Sequence, residues 1–549
     1  MQHRMTSARV LSQPERQSLR TICENLDLGK IVGICAYGSR VGGYFKKDSD
    51  YDLILVIDGF KQIIRYKYLE ADLHVSILIV DFKAFREDAF KSALGEFVVG
   101  RLLNIYESIM GDEIFHDAES VYKGRVMEEA INQLLISYGE FCFDLRIPLE
   151  FFLYEKLRKR AAVYPPALYS YVKTYSGPLI ERNLSSSLAV FSEKAKEAAM
   201  AKKVVFDGKV VIPSRSHDGW QGSRLHSVVK DAQRGLTQYA VHGLAGRVSP
   251  KVIGKEILSK IGRHRMVTDV PKLLTKPKSL LSLGDTMLIT DNEDWLRQLV
   301  DILDMKSDAE VKVLSIGEPY SSSKLYRFVS GSRVKEVVIK KFGDPWSLKW
   351  TLLSIWASPA QRKMKILPFD RLSNEYRAMK DLQKVRIKVP QPICVVLDEK
   401  ILVKNFIKGE NIGNVVSSVI QNKDADLQPL REYGKVIAKV HALGFGIGDT
   451  KPSNAIISEG EVYLTDLEQT MIGGDLIWDI AEFSYYSSKL TMNASGVKKI
   501  IRSFLDGYLE SGSLNVVTAA ANAKYLKPFR PFIVPRIASL VRKELQLNR

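Results

Sequence analysis

The sequence predicts a multidomain α+β protein, and three stretches carry that expectation. Near the start, a glycine turn leads into an unbroken apolar segment, CAYGSRVGGYFKKDSDYDLILVI (Cys35–Ile57), which reads as strand, turn and buried strand. From about 120 to 300 apolar residues recur three and four apart, as in GRVMEEAINQLLISYGEFCFDLRIPLEFFLYEKLRKRAAVY, the period of packed helices. Near the other end, GIGDTKPSNAIISEGEVYLTDLE (Gly446–Glu468) reads as a polar loop, a tight turn and a short apolar strand ending in Asp466. A chain of 549 residues with 46% hydrophobic content has room for about three domains with cores of their own. The expected division is 1–120, a mainly helical middle at 121–305, and 306–549.

The first stretch resembles the polymerase-beta-like nucleotidyltransferases, whose pattern is Gly-Ser, a spacer, then Asp-x-Asp on a strand. The resemblance implies an α/β domain with a mixed sheet, and the chemistry accounts for the spacing. Gly38 and Ser39 form a tight turn at a helix start, where backbone N–H groups and the hydroxyl can receive triphosphate oxygens. Asp50 and Asp52 lie two apart on an extended segment, so both project from one face. Two hard carboxylates on one face suit Mg²⁺ in a two-metal nucleotidyl transfer. The family draws a third carboxylate from a neighbouring strand; ADLHVSILIVD offers Asp72, with Glu70 the runner-up. Arg40, beside the turn, is a candidate phosphate contact.

The far stretch places Asp449, Lys451, Asn454 and Asp466 at the spacing of a kinase catalytic loop followed by a metal-binding Asp. Residues from about 306 to 549 resemble the bilobal protein-kinase-like fold, nearest the KEOPS-complex kinase and the RIO kinases. The resemblance implies Asp449 as acceptor of the substrate hydroxyl proton, Lys451 as a cation near the γ-phosphate, and Asn454 and Asp466 as Mg²⁺ ligands. Upstream, VVIKKF offers Lys340 as the phosphate-clamping lysine, with Lys341 the register alternative, and NEYRAMKDL offers Glu375 as its ion-pair partner. Val403 to Phe406 would line the adenine slot, and Asp479 would brace the catalytic loop. The chain also departs from the pattern. Ile447 stands at the usual catalytic-loop histidine, so an orienting contact is expected to be missing. Asp-Leu-Glu (Asp466–Glu468) replaces Asp-Phe-Gly, an ending shared with aminoglycoside- and choline-kinase-like enzymes. GEPYSSSK (Gly317–Lys324) is the only candidate nucleotide loop, and the stretch between Asp466 and Asp479 is too short for a regulated activation segment.

Composition narrows partners and compartment. The four cysteines are scattered without CxxC spacing, which argues against a disulfide framework or a zinc site. No apolar run reaches membrane-spanning length and the start is too polar for a signal peptide, so a cytoplasmic protein with no membrane partner is expected. The net charge of +17 is concentrated at Lys251–Lys278 and Lys524–Arg549, and at Tyr154–Tyr175, where tyrosines interleave with lysines and arginines. Such segments suit structured, tRNA-like RNA through phosphate neutralisation and base stacking, or equally the recruitment of NTP. KVVFDGKVVI reads as a strand pair about Asp207–Gly208. A faint helix–turn–helix look near Gly243–His264, the histidines His242 and His264, and the tryptophans Trp346, Trp350 and Trp356 read as ordinary packing or surface.

The reading is of two Mg²⁺–NTP sites on one chain. The first joins a nucleoside monophosphate from ATP or another NTP to a hydroxyl or phosphate. The second moves the γ-phosphate of ATP to a protein Ser or Thr, or works as an ATPase on an RNA-bound assembly. Two other readings stay open: a small-molecule modifier of the aminoglycoside type, whose acidic acceptor cleft fits a basic chain poorly, and an idle RNA-binding scaffold. Oligomeric state is left open by the sequence.

Overall fold

The computed structural model describes residues 10–70, 73–165, 167–217, 233–238, 271–290, 294–316, 322–343 and 367–546, with a few single positions between 220 and 246. Asp72, residues 317–321 of the candidate nucleotide loop, the helix–turn–helix stretch with His242 and His264, most of the first basic segment, and Trp346, Trp350 and Trp356 lie outside the described residues. The chain divides into two compact units, 1–137 with 145–282, and 138–144 with 283–549.

The first unit begins with helix α1 (Gln13–Glu24), started by a capping box in which Ser12 and Glu15 satisfy each other's backbone N–H, with Pro14 in the first turn. Strands β1 (Lys30–Tyr37), β2 (Tyr51–Asp58), β3 (Ile64–Glu70), β4 (His74–Asp81) and β5 (Glu107–Met110) form one sheet in the order β3-β4-β2-β1-β5. Only β2 and β4 run parallel, so the sheet is mixed. The continuous apolar run of β2 is explained by its place: it is central and covered on both faces, so alternation would bury polar groups. One face packs on α1 through Leu19, Leu53, Leu55, Ile77 and Ile79. The unit continues through α2 (Ser39–Gly42), α3 (Phe82–Lys91), α4 (Asp112–Tyr138), α5 (Leu149–Val163), α6 (Ala167–Ser176) and α7 (Ile180–Met200). The hairpin follows as β6 (Val204–Phe206) and β7 (Val210–Pro213), with Gly208 at φ +97° in its turn.

One reading from the sequence changes here. Tyr154, Tyr171 and Tyr175 are core residues, 2–5% exposed, and Lys156 and Arg160 turn inward to Glu96. Three of the five tyrosines of the 154–175 stretch are therefore unavailable for stacking, whereas Tyr164 and Tyr169 are half-buried and Lys173 is exposed beside the Tyr169 ring. Helical spacing placed the three core tyrosines on the face buried between α5, α6 and α7.

In the second unit, β8 (Met287–Ile289), β9 (Glu310–Ser315), β10 (Ser323–Ser330), β11 (Arg333–Lys341), β12 (Pro392–Val396) and β13 (Ile401–Asn405) form a sheet in the order β9-β10-β11-β13-β12-β8. All pairs are antiparallel except β12 with β8. Helix α8 (Trp295–Ile302) packs its apolar face against this sheet, and α9 (Pro368–Lys384) begins with Pro368 at its first position. The remainder is mainly helical: α10 (Ile412–Ile420), α11 (Gln428–Ala442), a hairpin of β14 (Ala455–Ser458) and β15 (Glu461–Leu464), then α12 (Leu476–Tyr486), α13 (Ala494–Tyr508), α14 (Leu514–Ala520) and α15 (Pro535–Leu545). A sheet-rich part and a helical part within one unit match the bilobal expectation. All four cysteines are buried and none forms a disulfide, and no helix among the described residues is long and apolar enough to cross a membrane.

Candidate active sites

In the first unit the glycine turn is built around an aspartate. Gly38 sits at φ +80°, and a Cβ there would fall 2.2 Å from Asp52 Oδ2, so only glycine lets the backbone come this close to the carboxylate. Ser39 opens the single turn α2, which Gly43 closes in the left-handed region. Helix α7 holds this turn from the side: Arg182 donates to the Val41 carbonyl at 2.5 Å and Asn183 to that of Gly42 at 3.0 Å. Arg40 is engaged within the loop. Its guanidinium donates twice to the Ser49 carbonyl, at 3.1 and 2.7 Å, and lies over Phe45 and Tyr51.

Asp50 is exposed just before β2, and Asp52 is half-buried at its entrance. In register, Asp52 has Tyr37 of β1 on one side and buried Ser76 of β4 on the other. The neighbouring-strand position is thus a serine. Among the described residues no three carboxylates gather at Asp50 and Asp52; Glu70 lies exposed at the C-terminal end of β3, opposite His74 and at the same end of the sheet as Asp50 and Asp52. Burial pushes the Tyr37 phenol well above its ordinary pKa against the pull of Arg101, with Tyr66 and Asp52 adding to the rise.

In the second unit, strand alternation turns Lys340 inward and Lys341 outward to Glu399. Lys340 Nζ stands 2.6 Å from Glu375 Oε2 and 3.0 Å from Glu468 Oε2, and also touches Asp466. Burial disfavours the ammonium, but Asp466, Glu375 and Glu468 outweigh it and hold Lys340 well above its ordinary pKa. Burial pushes Asp466 up, and Lys340 more than reverses this, leaving it well below the carboxylate range. Glu468 is raised, by burial first, with Lys340 and Arg371 opposing and Asp466 and Glu375 adding. Carboxylate oxygens of Glu375, Asp466 and Glu468 come within 4.8 Å of one another. Asp466 adopts φ +56°, a left-handed conformation that asparagine and aspartate tolerate better than most side chains.

Asp449 lies across the same cleft, an opening of about 860 Å³ lined by Val338, Lys340, Phe406, Asp449, Asn454 and Asp466 among others. Lys451 Nζ donates to Asp449 Oδ2 at 3.1 Å and is ion-paired with Oδ1 at 2.9 Å, an oxygen that accepts no hydrogen bond. Asn454 Nδ2 donates to the Asp449 carbonyl at 3.1 Å. A carboxylate oxygen that accepts no hydrogen bond and is paired only with the Lys451 ammonium suits proton acceptance beside a Mg²⁺-type cation. Ser322 and Ser323, at the end of GEPYSSSK, also line the cleft, as do Lys404 to Phe406 of the expected adenine slot, whereas Val403 is core.

The orienting contact expected to be missing at Ile447 is supplied from elsewhere. His441, on α11, places Nε2 3.0 Å from Asp479 Oδ2 and Nδ1 2.8 Å from the Tyr508 hydroxyl. Asp479 in turn accepts the N–H groups of Ile447 and Gly448, both at 2.7 Å. The sequence reading placed Lys404 only in the adenine slot and missed its ion pair: this lysine, 5% exposed, reaches Glu375 Oε1 at 2.5 Å; it also passed over Arg371, which donates to Glu468 at 3.0 Å. Each carried a signal: a lysine inside the apolar strand ILVKNF, an arginine one helical turn before Glu375, and a histidine within an apolar helix.

Comparison with known proteins agrees with both ends. Residues 16–103 match the family model of the nucleotidyltransferase domain, and residues 361–474 that of the RIO domain. A probable serine/threonine-protein kinase BUD32 homolog of Archaeoglobus fulgidus is 29% identical over 136 residues, 25% of this chain and 65% of that protein. The KEOPS complex subunit Bud32 of Pyrococcus abyssi is 30% identical over 97 residues, 18% of this chain and 43% of that one. The chain thus spans less than two thirds of these relatives' length. A solved structure, the bifunctional kinase-methyltransferase WbdD, aligns over 41% of this chain and 47% of its own at 10% identity with a TM-score of 0.24, which carries no argument. The class so defined is that of chains built from phosphorus-group-transferase domains. In particular, this one joins an N-terminal nucleotidyltransferase domain to a C-terminal atypical, RIO- and Bud32-like kinase domain.

Proposed function

We propose that the C-terminal unit is an atypical Ser/Thr protein kinase acting with Mg²⁺–ATP, and that the N-terminal unit is a nucleotidyltransferase acting with a Mg²⁺–NTP. One observation carries the first reading: Lys340, Asp449, Lys451, Asn454 and Asp466 line a single cleft, with Asp449 Oδ1 accepting no hydrogen bond. Asp466 and Asn454 hold the metal, which neutralises phosphate charge when bound. Lys340 clamps the phosphates and is itself positioned by Glu375. Asp449 accepts the acceptor hydroxyl's proton, and Lys451 steadies the γ-phosphoryl oxygens during in-line transfer. A protein acceptor is favoured over a polycationic small molecule, since Lys451 and the exposed Lys489 border the acceptor side with Tyr486, Phe529 and Phe532. That choice agrees with the serine/threonine-protein kinase named in the Archaeoglobus relative.

In the N-terminal unit Gly38 and Ser39 receive the triphosphate, Asp50 and Asp52 hold Mg²⁺, and Asp72 is kept as the candidate third carboxylate. Arg40 supports the loop in addition to any phosphate contact. The functional division stays 1–120, 121–305 and 306–549, with the middle helices bracing the first site, and the compartment is the cytoplasm. RNA is kept as a partner through the exposed Lys524, Lys527, Arg530 and Arg536 of the C-terminal tail.

The test separates the two chemistries. The full chain is incubated with α- and γ-labelled ATP separately, with and without RNA and protein extract from its own cell. Transfer of γ-label to protein that disappears with Asp466→Ala is the expected result. Label from the α position that disappears with Asp50→Ala plus Asp52→Ala supports the second site. Salt-sensitive RNA binding with neither transfer would replace both readings with the scaffold.

A further inference from the structure

One side chain in the cleft of the second unit is out of keeping with an ordinary purine slot. Val338, Phe406, Ile407 and Ile456 supply apolar walls of the kind that hold a flat ring, and the charged Lys404 stands among them. The register of β11 with β13 pairs Val338 with Lys404 and Lys340 with Leu402. Lys404 therefore lies two residues, about 6–7 Å, along the sheet from the phosphate-clamping lysine. It is displaced toward Asn405 and Phe406, where the base slot is.

The donors of Lys404 outnumber its partners. An ammonium carries three N–H groups. Glu375 Oε1 takes one of them, and among the described residues no other protein acceptor meets this buried lysine. Lys340 already holds the other oxygen of Glu375, so keeping that carboxylate ionised does not require a second lysine. Buried donors without acceptors are costly, and a ligand in the cleft can supply what is missing. The two purines answer differently. Guanine presents two adjacent acceptors, O6 and N7, whereas adenine sets N7 beside an N6 amino group that is itself a donor.

We infer that Lys404 sets the base preference of the C-terminal cleft, donating to O6 and N7 of guanine, so that the site takes Mg²⁺–GTP at least as readily as Mg²⁺–ATP. The γ-phosphoryl group and its transfer are the same with either nucleotide; only the base edge distinguishes them. This inference rests on the kinase reading and adds the residue that selects its nucleotide.

Mg²⁺–GTP and Mg²⁺–ATP are titrated calorimetrically into the full chain carrying Asp50→Ala and Asp52→Ala, which removes binding at the N-terminal site, and γ-label from each is followed onto protein. GTP should bind as tightly as ATP or more tightly. Lys404→Met in the same background should raise the ratio of the GTP Kd to the ATP Kd roughly ten- to a hundredfold. Lys404→Arg, which keeps the charge and the donors, should leave GTP binding in place, and Lys340→Met, at the phosphate end, should weaken both nucleotides alike. Should Lys404→Met bind neither nucleotide, guanosine and adenosine titrated into the chain with Lys404 intact decide the matter: guanosine the tighter supports the inference, adenosine the tighter overturns it. A preference for ATP that Lys404→Met leaves unchanged overturns it, restricts Lys404 to Glu375 and leaves the kinase reading standing. A preference for GTP that survives Lys404→Met also overturns it, placing the selection elsewhere. Binding of neither nucleotide by the chain with Lys404 intact, with no γ-transfer, removes the kinase reading and this inference with it.

Discussion

The ammonium of Lys404 lies 2.5 Å from one oxygen of Glu375, whose other oxygen holds Lys340 at 2.6 Å. Glu375 is fully buried, and burial alone would raise its pKa; the two lysines more than reverse this and keep it ionised. Helix α9 is thus tied to two strands, β11 and β13, through a single carboxylate. Lys340→Met still leaves Glu375 one cation, and so does Lys404→Met. Each single change should therefore cost less than the roughly 3–5 kcal/mol of stripping a buried charge of its partner. The double change should cost more than the sum of the two. Urea unfolding of the four proteins in this cycle measures the excess, and strict additivity would show that the lysines do not share Glu375.

Separating Asp449 from Asp466 gives a second expectation. Asp449→Asn keeps the side chain's size and removes the base, so γ-transfer should fall by roughly 10²–10⁴ while Mg²⁺–ATP affinity stays within a few-fold. Asp466→Asn should instead weaken nucleotide binding only when Mg²⁺ is present, an effect that disappears in EDTA. Calorimetry with and without the metal, beside single-turnover rates, distinguishes the two. Equal losses of affinity in both variants would contradict the assignment.

The brace beneath the catalytic loop makes a third. Asp479→Ala leaves the N–H groups of Ile447 and Gly448 without their acceptor inside the protein, at about 1–3 kcal/mol for each buried donor. His441→Ala removes a contact to the same carboxylate but leaves both backbone bonds in place. Its stability loss should therefore be the smaller, and transfer should fall further for Asp479→Ala than for His441→Ala. Melting temperatures and rates for both variants test the order, and the reverse order would assign the loop's geometry to the histidine.

The parts of this molecule legible in its sequence were those set by local spacing. An apolar strand ending in paired lysines marks Lys340 with Lys341 as its alternative, a glycine turn before an apolar run marks Gly38 and Asp52, and Asp-Gly between β-branched runs gives the β6–β7 hairpin. What escaped depends on contacts between residues distant in the chain. His441 takes up the orienting role at Ile447 only because α11, the loop after it and α12 converge on Asp479. Lys404 gains its meaning from a helix residue 29 positions earlier. Tyr154, Tyr171 and Tyr175 were grouped with the exposed cations because composition does not say which face of a helix is covered; the packing of α5, α6 and α7 buries these three. Ser76 beside Asp52 follows from strand order, which the pattern of motifs left open.

Glu96 supplies the last prediction, one of pH. It is 3% exposed and surrounded by Lys156, Arg125, Arg234 and Arg160, with nitrogen–oxygen distances of 2.9, 3.2, 3.6 and 3.8 Å. Burial raises its pKa, but Lys156 and then the three arginines outweigh this and bring it from 4.5 to about 2. A carboxylate depressed in the folded state contributes stability that is fully present above its unfolded value and is lost as pH falls toward the folded one. The first unit should therefore lose stability between about pH 4.5 and 2. Glu96→Gln should flatten that part of the profile, and at neutral pH it should cost up to about 3–5 kcal/mol, since four half-buried cations lose a shared charge while Glu129 still pairs with Arg234 and Lys156. Unfolding of the two proteins followed across this range reads both effects. A Glu96→Gln protein with an unchanged acid slope would mean that other carboxylates set it.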